Sequence, residues 1–141
     1  NFNTSNVTNM AYMFFGCNNL TSLDLSNFDT SQVTDMNNMF NYCIELTDLY
    51  LNFDVSSVQD ISYILADNDK LANVVGKFEG TKDNLDLTYS PLTAASAMVF
   101  IYGLATVTET RRLYLSATTY DSLTAEQIAI ATAKGWTVAR Y

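Results

Sequence analysis

The chain repeats itself at an interval of 25 or 26 residues through its first half. Four phenylalanines mark the unit boundaries, at residues 2, 28, 53 and 78. Eight positions recur from unit to unit, as Val7, Met10, Met13, Phe14, Cys17, Leu20, Leu23 and Leu25, then Val33, Met36, Met39, Phe40, Cys43, Leu46, Leu49 and Leu51, then Val58, Ile61, Ile64, Leu65, Asn68, Leu71, Val74 and Gly76. A fixed period of this length is typical of repeat proteins, whose units bury their apolar sides only against each other.

Each regular unit is predicted to hold a short helix. In the second unit, Met36, Met39 and Phe40 follow the spacing of one face of a helix,. This pattern predicts a helix over residues 35–42 with Ser31 or Thr34 as its N-cap, of which Thr34 is favoured.

A short strand follows in each unit. Leu49 and Leu51 alternate around Tyr50 with the period of a half-buried strand,. Similar pairs predict six parallel strands, over residues 23–25, 49–51, 73–75, 85–87, 113–115 and 136–138. The predicted fold class is α/β, a right-handed solenoid with these strands on one face and short helices on the other.

The second half departs from the period, and local signals define its elements. Thr93 is placed to cap one helix, and Thr124 with Gln127 forms a capping box for another that ends before Gly135,. The whole chain is predicted to be one domain, with three regular repeats in 1–78 and irregular repeats plus a C-terminal cap in 79–141.

Composition disfavours several function classes. The net charge is −8, and no Lys or Arg precedes Lys70, so the surface repels phosphate backbones and nucleic acid is not an expected partner,. The longest apolar run, over 94–105, is well short of the roughly 20 residues that cross a bilayer, so no membrane insertion is expected,. The chain opens at Asn1 inside a repeat and without Met, which indicates the C-terminal part of a longer protein.

Catalysis is not expected. The chain has no His, so the commonest general base is absent,. Asp24 with Asp48 or Asp86 is the one carboxylate pairing to weigh for glycoside hydrolysis, but an open sheet face would leave these groups in water. No cofactor and no metal centre is predicted.

Two matched pairs leave alternatives open. Cys17 and Cys43 hold the same repeat position, roughly 5 Å apart if units stack as strands do. That spacing suits either a disulfide or two buried thiols, and the second is favoured. Asp29 and Asp54, also matched, suit either a turn or a calcium ion, and the turn is favoured.

The outward residues of the strands form the candidate contact surface. Adjacent strands in register would align them as one ladder, and exposed Tyr beside Asp and Arg is enriched at interaction surfaces. The predicted partner-binding residues are Asp24, Asp48, Tyr50, Asp86, Arg112 and Tyr114.

The stretch F-D-T-S-Q-V-T-D-M-N-N-M-F-N-Y-C-I-E-L-T-D-L-Y-L, at 28–51, resembles the BspA-type leucine-rich repeat of bacterial surface proteins. The tail segments at 87–93 and 123–137 are similar to C-terminal segments of leucine-rich-repeat proteins of gut bacteria. The resemblance implies an extracellular or cell-surface solenoid used for attachment or protein recognition, with no catalytic residues. It places the variable strand-face positions at Asp24, Tyr50, Val75, Asp86, Tyr114 and Thr137.

Two functions follow as expectations. The first is recognition of a protein, or of a glycan, through the strand face, at a host or cell surface. The second is a passive spacer that holds another domain away from the cell. The apolar edge of the first repeat also suggests an end-to-end dimer.

Overall fold

A computed structural model describes residues 2–141. The described residues form six strands and three helices, which in chain order are β1 (Ser22–Leu25), β2 (Asp48–Asp54), β3 (Asn73–Glu79), β4 (Leu85–Leu87), α1 (Ala94–Gly103), β5 (Arg111–Leu115), α2 (Ala117–Asp121), α3 (Ala125–Ala133) and β6 (Trp136–Arg140). The protein is therefore mixed α/β, and all six predicted strands are confirmed.

The first three strands form one parallel sheet whose register follows the sequence repeat. Leu23 pairs with Leu49 and Leu49 with Val74, so equivalent positions of successive units lie side by side. Along β2, Leu49, Leu51 and Phe53 are buried while the residues between them face outward. The alternation predicted around Tyr50 is confirmed, because successive side chains of a strand point to opposite faces.

The prediction of a helix over 35–42 is wrong, since this segment is a series of turns. Met36 N–H donates to Asp60 O at 2.9 Å and Asn38 N–H to Ser62 O at 2.9 Å, so alternate amides bond to the next unit. Directly after Asn38, Met39 N–H donates to Met36 O at 3.2 Å and closes a tight turn. The spacing that suggests a helix arises because these turns also return a side chain to the core about every three residues. Thr34, expected as an N-cap, donates its hydroxyl to Thr8 O instead.

Helix α1 lies along the free edge of β3. Val74 N–H donates to Ser96 Oγ at 2.8 Å, and Gly80 N–H donates to Gly103 O at 2.8 Å. Helix α1 therefore covers the edge of β3 at which a fourth strand would otherwise pair. The single sheet of six strands is therefore a wrong expectation.

The remaining strands form a second parallel sheet in the order β4-β5-β6. Ser90, after β4, donates its hydroxyl to Leu65 O at 3.1 Å, which sets this part of the chain beside the turns of the third unit. Beyond residue 78, therefore, helix α1 lies next to strand β3 of the sheet, and strand β4 lies next to the turns of the third unit.

The local helix signals in the second half are confirmed. Thr93 accepts from Ser96 N–H at the start of α1, and Thr124 and Gln127 form the capping box of α3. Gly135 follows α3 with a φ of 91°. Lys134 ends α3, but its Nζ donates to Tyr102 O at 2.6 Å and so caps α1 rather than its own helix. Helix α2 is not predicted, although Ser116 caps it by accepting from Thr119 N–H at 3.3 Å.

A continuous apolar core joins the two halves. Ring centroids lie 5.7 Å apart for Phe14 and Phe40, 6.5 Å for Phe40 and Phe53, 6.3 Å for Phe53 and Phe78, and 5.1 Å for Phe78 and Phe100. Equivalent phenylalanines of adjacent units thus pack together, as Phe14 with Phe40 and Phe53 with Phe78, and Phe100 of α1 extends the series. Dispersion and burial along this column hold the units together.

Candidate interaction surface

The outer face of the first sheet carries three of the predicted contact residues. Asp24 of β1 pairs in register with Tyr50 of β2, which pairs with Val75 of β3. Tyr50 and Val75 are exposed, while Leu49 and Leu51 on either side of Tyr50 are buried. The strand thus fixes the direction of the Tyr50 side chain through the burial of its neighbours.

Local hydrogen bonds hold the two aspartates of this face in their ionised form. Asp24 accepts from Ser26, and this contact lowers the pKa of the Asp24 carboxyl. Asp48 accepts from the Thr47 hydroxyl at 2.6 Å and from Asn73 Nδ2 at 2.9 Å, and these bonds lower the pKa of the Asp48 carboxyl. The face is therefore acidic around an exposed aromatic ring.

The other three predicted residues lie on the second sheet. Asp86 of β4 pairs with Tyr114 of β5, and Arg112 lies two residues before Tyr114 on the same strand. Because α1 occupies the edge of β3, these residues do not continue the row of Asp24 and Tyr50. The expected single ladder is two separate groups.

Within the second group, the side chains are partly engaged. The Tyr114 ring meets the Tyr141 ring edge to face at a centroid distance of 5.3 Å. Asp86 accepts from both the amide and the hydroxyl of Thr88. Thr137, expected beside Tyr114, pairs instead with Arg112, and Ala139 is the partner of Tyr114. This second group offers less free aromatic surface than Tyr50 does.

The matched aspartates between strands build turns. Asp29 accepts from the Ser31 hydroxyl at 2.7 Å and the Ser31 amide at 3.0 Å, and Asp54 accepts from the Ser56 amide at 2.9 Å. The favoured turn interpretation is confirmed for these side chains. Within residues 2–141, no three His, Cys, Asp or Glu side chains come together as a metal site.

Both cysteines are free thiols, as favoured from the sequence, although only Cys43 is fully buried and Cys17 is partly exposed. Burial raises the pKa of the Cys43 thiol to about 11. Its Sγ donates to Phe14 O at 3.1 Å. In the third unit, Asn68 makes the equivalent bond to Phe40 O at 3.0 Å, so this position supplies a donor to the preceding unit.

A cluster of exposed aromatic rings on the turns is absent from the sequence prediction. Tyr12, Phe15 and Tyr42 are each about half exposed, and their rings are in contact. A helix in each unit would place these residues on its solvated side, so the helix prediction gives no reason to expect the cluster. The signal that identifies it is the recurrence of Tyr at two turn positions, as Tyr12, Tyr42 and Tyr63.

A protein-family model matches more than half of the chain. The family model described as "Mycoplasma protein of unknown function, DUF285" matches residues 1–98. The chain belongs to the DUF285 family. The matched part of DUF285 includes the three regular units and extends into α1. No curated protein and no solved structure matches the chain.

The DUF285 description assigns no activity. Among residues 2–141, no helix combines the length and the apolar composition needed to cross a bilayer.

Proposed function

We propose that this DUF285 chain is a leucine-rich-repeat module of the BspA type, secreted or held at a bacterial cell surface, that binds a partner protein through the outer face of its first sheet. In this proposal the units wind as a right-handed solenoid. Recognition of an exposed surface, rather than catalysis, is its function.

The repeat geometry supports the solenoid. Equivalent residues of the three regular units pair directly, as in the row Leu23, Leu49 and Val74. Leu49 and Val74 are buried between neighbouring units, which no single unit achieves alone,. A stack of this kind presents a row of outward side chains at one spacing, which is the feature that repeat proteins use for binding.

Exposed Tyr50 is the observation that carries the binding proposal. It lies at the centre of the first sheet, between Asp24 and Val75, with its strand fixed by buried residues on both sides. A tyrosine held in this way offers a large contact area and loses little conformational entropy on binding, and tyrosine is enriched among the residues that dominate interfaces.

The carboxylates of the face support binding over catalysis. A general acid needs a raised pKa, whereas hydrogen bonds from Ser26 and Thr47 lower the pKa of Asp24 and of Asp48 respectively,. These groups remain charged near neutral pH and are suited to accept hydrogen bonds from a partner.

Substitution of the tyrosines one at a time tests the proposal. We expect Tyr50→Ala to weaken binding to host cells or immobilised host matrix proteins by about fivefold or more, the loss of roughly 1 kcal/mol typical of a central contact. Tyr89→Ala removes a more exposed tyrosine outside this face and serves as the matched control. Tyr114→Ala reports separately on the second sheet.

Two outcomes contradict the proposal. Unchanged binding by Tyr50→Ala would remove the sheet face as the contact surface. Absence of any captured partner by the wild-type chain would favour the passive spacer.

Periodate treatment of the captured partner distinguishes a glycan from a protein, since oxidation of glycans abolishes glycan binding and leaves protein recognition intact.

A further inference from the structure

Three aromatic side chains form a continuous exposed patch on the turns of the first two units. Tyr12 is 56 % exposed, Phe15 is 47 % and Tyr42 is 51 %. The ring centroids of Tyr12 and Phe15 lie 5.7 Å apart, and those of Phe15 and Tyr42 lie 5.9 Å apart. The ring planes meet at 59° and 58°, so neither pair is stacked face to face. We name this group the turn aromatic patch.

The backbone under the patch is strained in a way that smaller residues would avoid. Tyr12, Tyr42 and Tyr63 have φ values of 59°, 61° and 57°, in the left-handed region that bulky residues rarely adopt,. Asn38 and Gly16 occupy the same two turn positions in other units, and both residue types suit that region,. Tyrosine is thus present where folding alone favours asparagine or glycine. Strain of this kind that carries an exposed side chain is a reason to look for function.

The position of Tyr12 is exposed in the third unit as well as in the first. Tyr63 holds the Tyr12 position in the third unit, with the second unit on one side and β4 following on the other, and is still 59 % exposed. Stacking of units therefore does not cover the tyrosine at this position. The position of Phe15 differs, since its equivalents Asn41 and Ala66 are buried. Apolar surface that remains contiguous and exposed in this way marks interaction sites.

The charge around the patch is of one sign. Residues 1–69 contain nine acidic side chains and no Lys or Arg. Asp67 holds the Tyr42 position in the next unit, and Tyr42 N–H donates to Ala66 O at 3.2 Å, so this carboxylate lies in the unit adjoining the patch. Asp35, which accepts from Asn37, lies beside the segment that receives the Tyr12 amide. Open aromatic faces within an acidic field attract cations.

From this we propose that the turn aromatic patch binds an arginine- or lysine-rich segment of another protein, with its cationic side chains over the rings of Phe15 and Tyr42. The acidic field brings the segment to the surface, and cation–π contacts hold it there. The proposal concerns a different surface from the sheet face and does not depend on a role for Tyr50.

Titration with hexa-arginine, followed by calorimetry, tests the proposal, with hexa-glutamine as the uncharged peptide. We expect the double variant Phe15→Ala with Tyr42→Ala to bind hexa-arginine about tenfold more weakly than the wild type. Tyr42→Asn is the second variant, since asparagine tolerates the left-handed conformation and should leave the protein folded while still weakening binding. Tyr89→Ala, which removes an exposed tyrosine outside the patch, is the control and should bind as the wild type does.

Three results would overturn the proposal. Equal binding by the wild type and the double variant would show only general attraction to an acidic protein. Binding of neutral oligosaccharides that the double variant loses, without binding of hexa-arginine, would assign the patch to glycans. A concentration-dependent dimer of the wild type that the double variant abolishes, again without hexa-arginine binding, would assign it to self-association.

Discussion

At the scale of the residue, single Asx side chains fix the turns of each unit. Asn3, Asp29 and Asp54 are equivalent, and each accepts a hydrogen bond from the amide two residues later. The first unit makes this turn with Asn and the next two make it with Asp. The bond to the side-chain oxygen therefore defines the turn, and the charge is an addition. This difference allows the two contributions to be separated by experiment.

The aspartate turns should make stability sensitive to acid. Hydrogen bonds from Ser31, Ser56 and Ser62 lower the folded-state pKa of Asp29, Asp54 and Asp60, respectively, below the unfolded value. Each carboxylate therefore contributes stability above an unfolded pKa near 3.9, and the contribution is lost as the pH falls through the folded pKa. We expect the free energy of unfolding to fall less steeply below about pH 4 when all three residues are replaced by Asn.

Denaturant titrations of the wild type and of this triple variant between pH 7 and pH 2 give the measurement. The triple variant should keep its turns, because in the first unit Asn3 makes the turn of Asp29 and Asp54, and Asn9 makes the turn of Asp60. The diagnostic quantity is the difference in unfolding free energy between the two proteins, which removes the effects common to both. A difference that stays constant with pH would mean that the turn carboxylates have the same pKa in the folded and unfolded states.

At the scale of the element, the strands and the two longer capped helices are predictable from the sequence, but the turns over 35–42 are not. A strand such as β2 and a capped helix such as α3 are each defined by neighbours within a few residues. The 35–42 segment depends instead on amides that bond to the next unit, as Met36 does to Asp60 O. Asn68 shows the same dependence, since its buried side chain donates to Phe40 O and accepts from the Cys43 amide of the preceding unit. Those partners lie in another unit, so the sequence of a single unit does not predict these bonds.

The contact between α1 and β3 depends on the absence of a side chain at Gly103. A Cβ built there would lie 1.6 Å from Phe78 O, which is backbone and cannot move aside alone. We expect Gly103→Ala to push α1 away from the edge of β3 and to destabilise the fold by about 2 kcal/mol or more, as overpacking of a tight contact does. Thermal unfolding followed by circular dichroism measures this change.

Gly16→Ala is the matched control for that substitution. A Cβ at Gly16 would meet nothing within 4 Å, although the φ of 68° is left-handed. Its cost should be limited to backbone strain of about 1 kcal/mol. If Gly103→Ala were no more destabilising than Gly16→Ala, the close approach of α1 to β3 would not be needed for stability.

At the scale of the whole molecule, the repeat predicts the stacking but not the point at which the stack changes. The period predicts the register of β1, β2 and β3, and that register is observed. It contains no information on the residues after 78, where α1 takes the edge of the sheet and β4 moves to the side of the turns. The predicted contact surface divides for this reason, and Tyr50 is separated from Tyr114. A pairwise contact between non-equivalent units decides the outcome, and the repeat pattern does not encode it.

The stacking also predicts a gradient of stability along the chain. In the second unit Met39 is fully buried, whereas its equivalent in the first unit, Met13, is 48 % exposed. The first unit therefore loses fewer contacts when it opens, and local opening should expose it without unfolding the rest. In hydrogen exchange by NMR, we expect the amides of Tyr12 and Phe14 to exchange at least about tenfold faster than those of Asn38 and Phe40, which occupy the same positions and also donate to the next unit,. Equal protection of the two sets, persisting as denaturant is added, would mean that the units open only together and that stability does not depend on having a neighbour on each side.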